Sequence, residues 1–146
     1  MKNICKQTPL YKFLYHCELT SLPRKVLDCG AGGKLPPLIL FKDYGYETHG
    51  IEIDDAQLSL ANQAHSDLNI IKGDMLSLPF DDESFSFVYS YNSIFHMTKE
   101  KILTATGEMA RVLRPGGLCF LNLLSTDDGE YGHGTQIGNG EFEQSE

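Results

Sequence analysis

The sequence predicts an α/β domain built on a doubly wound, mostly parallel sheet with helices on both faces. Three observations carry that prediction. Short apolar runs alternate with stretches of helical periodicity along most of the chain. Several of those runs stop at Gly or Asp, residues that favour the turn out of a strand. The chain has 146 residues and is 41% hydrophobic, which suits one core and one domain of ordinary size.

Leu10, Phe13, Leu14 and Cys17 stand at helical spacing between about residues 2 and 19, with Pro9 interrupting the start. Val26-Leu27 is a short apolar run that stops at Gly30, as a buried strand does on entering a glycine loop. Pro36-Pro37 open a helix over residues 38–44, where a missing N–H costs nothing, and Gly45 closes it. A second strand follows over residues 48–53. Asp54 then caps a helix, with Gln57 as its capping-box partner and Leu60, Ala61 and Ala64 as the apolar stripe. Residues 69–71 and 85–91 read as the third and fourth strands. Thr98 caps a long helix whose Ile102, Ala105, Met109, Ala110 and Leu113 share a face. Arg114-Pro115-Gly116-Gly117 stops that helix and leads into a fifth strand over residues 118–124. The folded domain is expected over residues 1–124. Residues 125–146, rich in Gly and acids, are expected as loop or disorder.

Composition excludes several classes. The formal charge is −8, and the basic excess is confined to Lys2, Lys6, Lys12, Arg24 and Lys25, which argues against a nucleic-acid partner. No apolar stretch approaches the roughly 18 residues of a membrane-spanning helix, and the N-terminus lacks the apolar run of a secretion signal. A cytoplasmic protein with no membrane association is expected. Cys5, Cys17, Cys29 and Cys119 form no CxxC pair and no zinc-ligand spacing, so reduced structural thiols and no metal site are expected.

In open parallel sheets, ligands bind beyond the carboxyl ends of the strands, where the strand order reverses. Four features fall at such ends. In Asp28-Cys29-Gly30-Ala31-Gly32-Gly33 the glycines allow a sharp turn and close ligand approach, although a tight strand-to-helix turn would also explain them. Asp28 shifts that balance, because a carboxylate there repels phosphate and attracts a cationic amino-acid ligand. Glu52, at the end of the second strand, offers a carboxylate to both hydroxyls of a ribose. Gly73-Asp74-Met75 supplies an acceptor for an adenine amino group and an apolar surface for its ring, where an ordinary turn is the plainer reading. Tyr89-Ser90-Tyr91-Asn92 ends the fourth strand and faces the ligand from the opposite side.

Taken together, VLDCGAGG, HGIEID, IKGDMLSLPFDDESFSFVYS and RVLRPGGLCFLNLL resemble the class I S-adenosylmethionine-dependent methyltransferases, in order and at family spacing from about Val26 to Leu124. The nearest flavour is the small-molecule branch that includes ubiquinone-biosynthesis-like and tellurite-resistance-like enzymes. The resemblance implies a Rossmann-like fold, S-adenosylmethionine as cofactor and a small-molecule methyl acceptor. It also implies site residues. Asp28 would lie near the methionine amino group, with Gly30, Ala31 and Gly32 beneath the cofactor. Glu52 would bind the ribose, and Ile53 would flank the adenine. Asp74 and Met75 would meet the adenine edge and face, and Ser90 and Tyr91 would line the methyl-donor side. The chain departs from the family at Lys34, where a further glycine is usual, and is expected to lack the C-terminal antiparallel hairpin that normally extends the family's sheet.

Methyl transfer from a sulfonium is an in-line displacement, so alignment supplies much of the catalysis and the family has no universal catalytic residue. Tyr91, Asn92 and His96 are candidate bases, with a partly buried structural role the plainer expectation for His96. Tyr11 and Tyr15 could line a lid, though aromatic residues at helical spacing more often belong to the core. The Asn-Pro-Pro-aromatic motif of amino-group methylases is absent; YSYN stands in its place. Two rival readings remain: a cofactor-binding domain without turnover, and a nicotinamide oxidoreductase, against which stands Leu35 at the last position of the dinucleotide glycine pattern. The uncharged run CFLNLL would form a sheet edge, which predicts cover from further chain or from a second copy in a homodimer.

Overall fold

Alternation of side chains along β1 (Lys25–Cys29) divides the core in two. The computed structural model describes residues 8–128 and 131–143. Val26 faces a cluster that includes Leu10, Phe13, Leu14 and Cys17 of α1 (Thr8–Glu18), Leu38 and Phe41 of α2 (Leu38–Asp43), and Ala61 of α3 (Asp55–Ala64). Leu27 and Cys29 face the other cluster, with Ala105, Met109 and Val112 of α4 (Lys99–Val112). Helices therefore cover both faces.

The sheet has the order β3-β2-β1-β4-β5 and all four pairings are parallel, with β2 (Glu47–Glu52), β3 (Ile70–Lys72), β4 (Phe85–Ser90) and β5 (Leu113–Leu121). The chain builds outward from β1 to β3, then returns to place β4 on the opposite side of β1. The carboxyl ends of β1 and β4 thus flank the reversal of strand order, as the doubly wound expectation requires. β4 is buried along its whole length. Its Tyr89 stacks on Phe41 at 5.2 Å and meets the edge of Phe13 at 6.0 Å, tying α1 and α2 to the sheet.

Several local expectations are corrected. Of the stripe proposed for α3, only Ala61 is buried; Leu60 and Ala64 are exposed and Leu58 packs instead. The Asp54 carboxylate caps α3 by accepting from the Gln57 N–H at 2.8 Å. The reciprocal bond comes from Glu52, which accepts the Asp54 N–H at 2.9 Å, and not from Gln57. On α4, Val112 joins Ala105 and Met109 in the core, whereas Ala110 is exposed. β5 begins at Leu113, before the Pro-Gly-Gly turn, and ends at Leu121. The register shift between Phe85 and Phe87 absorbs Arg114 to Gly117, with Gly116 at φ +78°. Cys119 lies exposed on this edge strand, while Cys17 and Cys29 are buried; all three are free thiols, and Cys5 lies outside the described residues.

Residues 125–146 were expected as loop or disorder, yet they include a two-stranded antiparallel hairpin, β6 (Thr135–Gly138) with β7 (Glu141–Glu143). It forms its own sheet, so the main sheet still ends at β5. Glu141 accepts from the Lys99 N–H and the Lys99 ammonium reaches the Asn139 carbonyl, docking the hairpin at the start of α4. No described helix is long and apolar enough to cross a membrane.

Candidate functional site

The loop after β1 turns because Gly30 and Gly33 take positive φ, +94° and +99°. The N–H groups of Gly30 and Ala31 both donate to the Ile51 carbonyl, at 3.0 and 2.9 Å, which fastens the loop to the end of β2. A side chain at Gly30 would strike Ser93, whose Oγ lies 2.2 Å from where a Cβ would stand. At Gly32 a Cβ would fall 2.5 Å from Glu52 Oε2. Gly30 is thus required by close approach as well as by backbone angle, and Gly32 by close approach alone.

Glu52 does two things at once. Its Oε2 accepts the Gly32 N–H at 2.9 Å, and its Oε1 accepts the Asp54 N–H at 2.9 Å. The carboxylate is held rigid between the glycine loop and the start of α3, with lone pairs left for a ligand donor. Asp74 is held in a comparable way, its Oδ1 accepting from the Leu76 N–H at 2.9 Å.

These strand ends enclose a cavity of about 320 Å³ lined by Gly30, Glu52, Ile53, Asp74 and Met75, a size that suits a small ligand. Its far wall comes from the segment after β4: Ser93, His96 and Met97, with Lys101 of α4. His96 is exposed at this wall and tilts against Phe95 at 4.5 Å, so the expectation of a partly buried histidine is corrected. Asn92, at φ +55°, aims the segment: its N–H donates to Asn122 Oδ1 and its Oδ1 accepts from Asn122 Nδ2, each at 2.7 Å.

Asp28 lies under the loop, 1% exposed, with neither carboxylate oxygen hydrogen-bonded. Burial pushes its pKa up to about 8; the adjacent Tyr89 hydroxyl opposes the shift and the Glu52 charge adds to it. Ionising a buried carboxyl without a partner is costly, and a cation placed over the loop would offset that cost.

Of the residues singled out in the sequence, Gly30, Glu52, Ile53, Asp74 and Met75 share the cavity wall. Gly32 touches it through Glu52. Asp28, Ala31 and Ser90 are buried behind the wall, and Tyr91 packs toward Phe120, 6.2 Å away, on the α1 side. Tyr11 and Tyr15 are exposed and line neither the core nor this cavity. Ser93, Met97 and Lys101 were not identified from sequence, because no spacing reveals how the turn at Asn92 directs them. Among the described residues, no group of three or more His, Cys, Asp or Glu side chains is arranged to hold a metal ion.

Residues 27–121, more than half of the chain, match a family model described as a methyltransferase domain. The sterol 24-C-methyltransferase of Schizosaccharomyces pombe is 32% identical over 102 residues, covering 64% of this chain and 26% of the relative. Methyltransferase GfsG of Streptomyces halstedii is 32% identical over 111 residues, covering 71% and 39%. The crystal structure of the PH0226 protein from Pyrococcus horikoshii aligns with a TM-score of 0.69 at 27% identity, covering 84% of this chain and 57% of that one. The chain therefore spans well under half the length of these two curated relatives.

Proposed function

The chain belongs to the class I S-adenosylmethionine-dependent methyltransferases, and from that premise we propose that it binds S-adenosylmethionine over Gly30 and transfers its methyl group to a small-molecule acceptor. The observation that carries the proposal is the rigid Glu52 carboxylate facing Asp74 and Met75 across a cavity of cofactor size. The residues present fit the cofactor. Glu52 keeps acceptor capacity for two ribose hydroxyls, and Ile53 and Met75 offer apolar faces to an adenine ring. Asp74 has an oxygen to receive the adenine amino group. Gly30, Ala31 and Gly32 form a floor without an intruding Cβ, and Asp28 beneath them matches an ammonium group. Ser90 and Tyr91, which the resemblance assigns to the methyl-donor side, stand at the end of β4 but outside the cavity lining.

When bound, the cofactor supplies an electrophilic methyl group on a sulfonium. The chain contributes orientation and exclusion of water, which together bring acceptor, methyl and sulfur into line. His96 stands at the cavity wall, where an acceptor that arrives protonated could lose its proton. Asn92 is occupied by Asn122, which removes it from that role. The sterol methyltransferase relative supports a small-molecule acceptor. The free thiols of Cys17, Cys29 and Cys119 suit a reducing, cytoplasmic setting.

Thermal unfolding with S-adenosylmethionine, S-adenosylhomocysteine and NAD tests the cofactor assignment. Either sulfur compound at about a hundred times its Kd is expected to stabilise the fold by roughly 2.7 kcal/mol, with no effect of NAD. A shift with NAD alone would favour the nicotinamide reading. Binding without product formation across a panel of acceptors would favour a cofactor-binding domain lacking turnover.

We also propose that two copies pair along β5. Residues 117–124 carry no charge to discourage edge pairing, and an apolar groove between Phe13 and Phe120 runs beside the edge. Sedimentation is expected to give a dimer that Phe120→Lys converts to a monomer. A monomeric wild type would refute it.

A further inference from the structure

The chain between β3 and β4, from Gly73 to Ser84, forms neither helix nor strand, yet its first residues, Gly73 to Leu76, line the cavity. Its backbone is held instead by two side chains one helical turn apart on α4. Arg111 donates to both Glu108 oxygens, from Nε at 2.8 Å and Nη2 at 2.9 Å, forming a planar fork. The same guanidinium donates to the carbonyls of Phe80 at 2.8 Å and Leu78 at 3.0 Å and to Asp82 Oδ1 at 2.8 Å. Glu108 Oε2 accepts the Leu78 N–H at 2.7 Å, and the Arg111 carbonyl accepts the Glu83 N–H at 2.9 Å. Leu78 is buried, and only Ser77 separates it from the cavity wall at Leu76. Asp74 is itself tied to the N–H groups of Leu76 and Ser77, so its carboxylate sits on a hydrogen-bonded turn that runs directly into Leu78.

We propose that Glu108 and Arg111 are positioning residues of the cofactor site, setting the depth at which Asp74 meets the exocyclic amino group of adenine. This rests on the cofactor reading above. Neither residue lines the cavity, so the effect passes through the loop backbone. The fork geometry also makes lysine a poor substitute for Arg111, since an ammonium cannot span both Glu108 oxygens and two carbonyls in one plane.

The test compares the Kd of S-adenosylhomocysteine with that of S-inosylhomocysteine, which carries a carbonyl where adenine has its amino group. The wild type is expected to prefer the amino compound by at least about tenfold. Arg111→Ala is expected to shrink that preference to within about threefold, and Arg111→Lys to leave most of the loss in place. Glu108→Gln, which weakens the fork without emptying it, gives the same direction should Arg111→Ala fail to fold. A wild-type preference that survives in every folded variant, with both compounds weakened equally or not at all, would overturn the proposal while leaving the cofactor reading intact. A wild type that binds neither compound would refute the cofactor reading, and this inference with it. Amide exchange at Leu76 and Leu78 supplies a second readout: faster exchange in Glu108→Gln is expected, and unchanged exchange there would also count against the proposal.

Discussion

Replacing Glu52 separates its two duties. In Glu52→Ala the N–H groups of Gly32 and Asp54 each lose a carboxylate partner 2.9 Å away. Hydrogen bonds to a charged group contribute about 1.5–3 kcal/mol when shielded from solvent. Asp54 is exposed and Glu52 only half-buried, so water replaces part of the loss, and the expected fall in stability is about 2–3 kcal/mol. Glu52→Gln retains one acceptor oxygen and turns an NH2 toward the other backbone N–H. It should cost about half as much. On the ligand side, Glu52→Ala removes the ribose acceptor and is expected to weaken S-adenosylhomocysteine by about ten- to a hundredfold. Denaturant unfolding reads the first quantity and titration calorimetry the second. Lower stability with unchanged affinity would show that Glu52 only ties the loop to α3, and would refute its place in the ribose site.

Gly30→Ala adds a Cβ against Ser93 and forces a side chain into a positive-φ position. A loss of about 1–3 kcal/mol is expected in thermal melts, and Ser93→Gly should recover only the steric part. Asp28 makes stability depend on pH. Its native pKa, about 8, lies above the unfolded value of about 3.9, so the native state binds the extra proton between those limits. Its contribution is therefore full below about pH 4 and is lost as pH rises toward about 8, by at most about 1.4 kcal/mol per unit. Asp28→Asn should flatten that slope in denaturant melts at several pH values; an unchanged slope would remove Asp28 as the source. Asn122→Ala deletes both bonds to Asn92 at an exposed site, so a modest cost of about 0.5–1.5 kcal/mol is expected, with faster exchange of the Asn92 amide.

The sheet was legible in the sequence wherever local chemistry determined it. Val26-Leu27 before a glycine loop could only be a buried strand, and Thr98 capping a periodic stretch marked α4 correctly. The α3 stripe was misread because Leu58, Leu60, Ala61 and Ala64 allow more than one apolar face, and packing against the sheet chose the one holding Leu58 and Ala61. Pro115-Gly116-Gly117 signalled a break, but not that β5 would begin before it and take up the extra residues as a register shift. The cavity residues from β1, β2 and β3 stood at strand ends and were found for that reason. Ser93, Met97 and Lys101 enter from a segment whose course depends on the Asn92–Asn122 pairing across 30 residues. A comparable separation, 31 and 33 residues, hides Arg111 and its hold on the loop beside Asp74.

A crystal structure of the chain with S-adenosylhomocysteine tests the central claim most directly. The account predicts the ligand over Gly30 to Gly32, both ribose hydroxyls within hydrogen-bond distance of the Glu52 carboxylate and the adenine amino group on Asp74. An ordered ligand in the groove between α1 and β5, or none at saturating concentration, would contradict it.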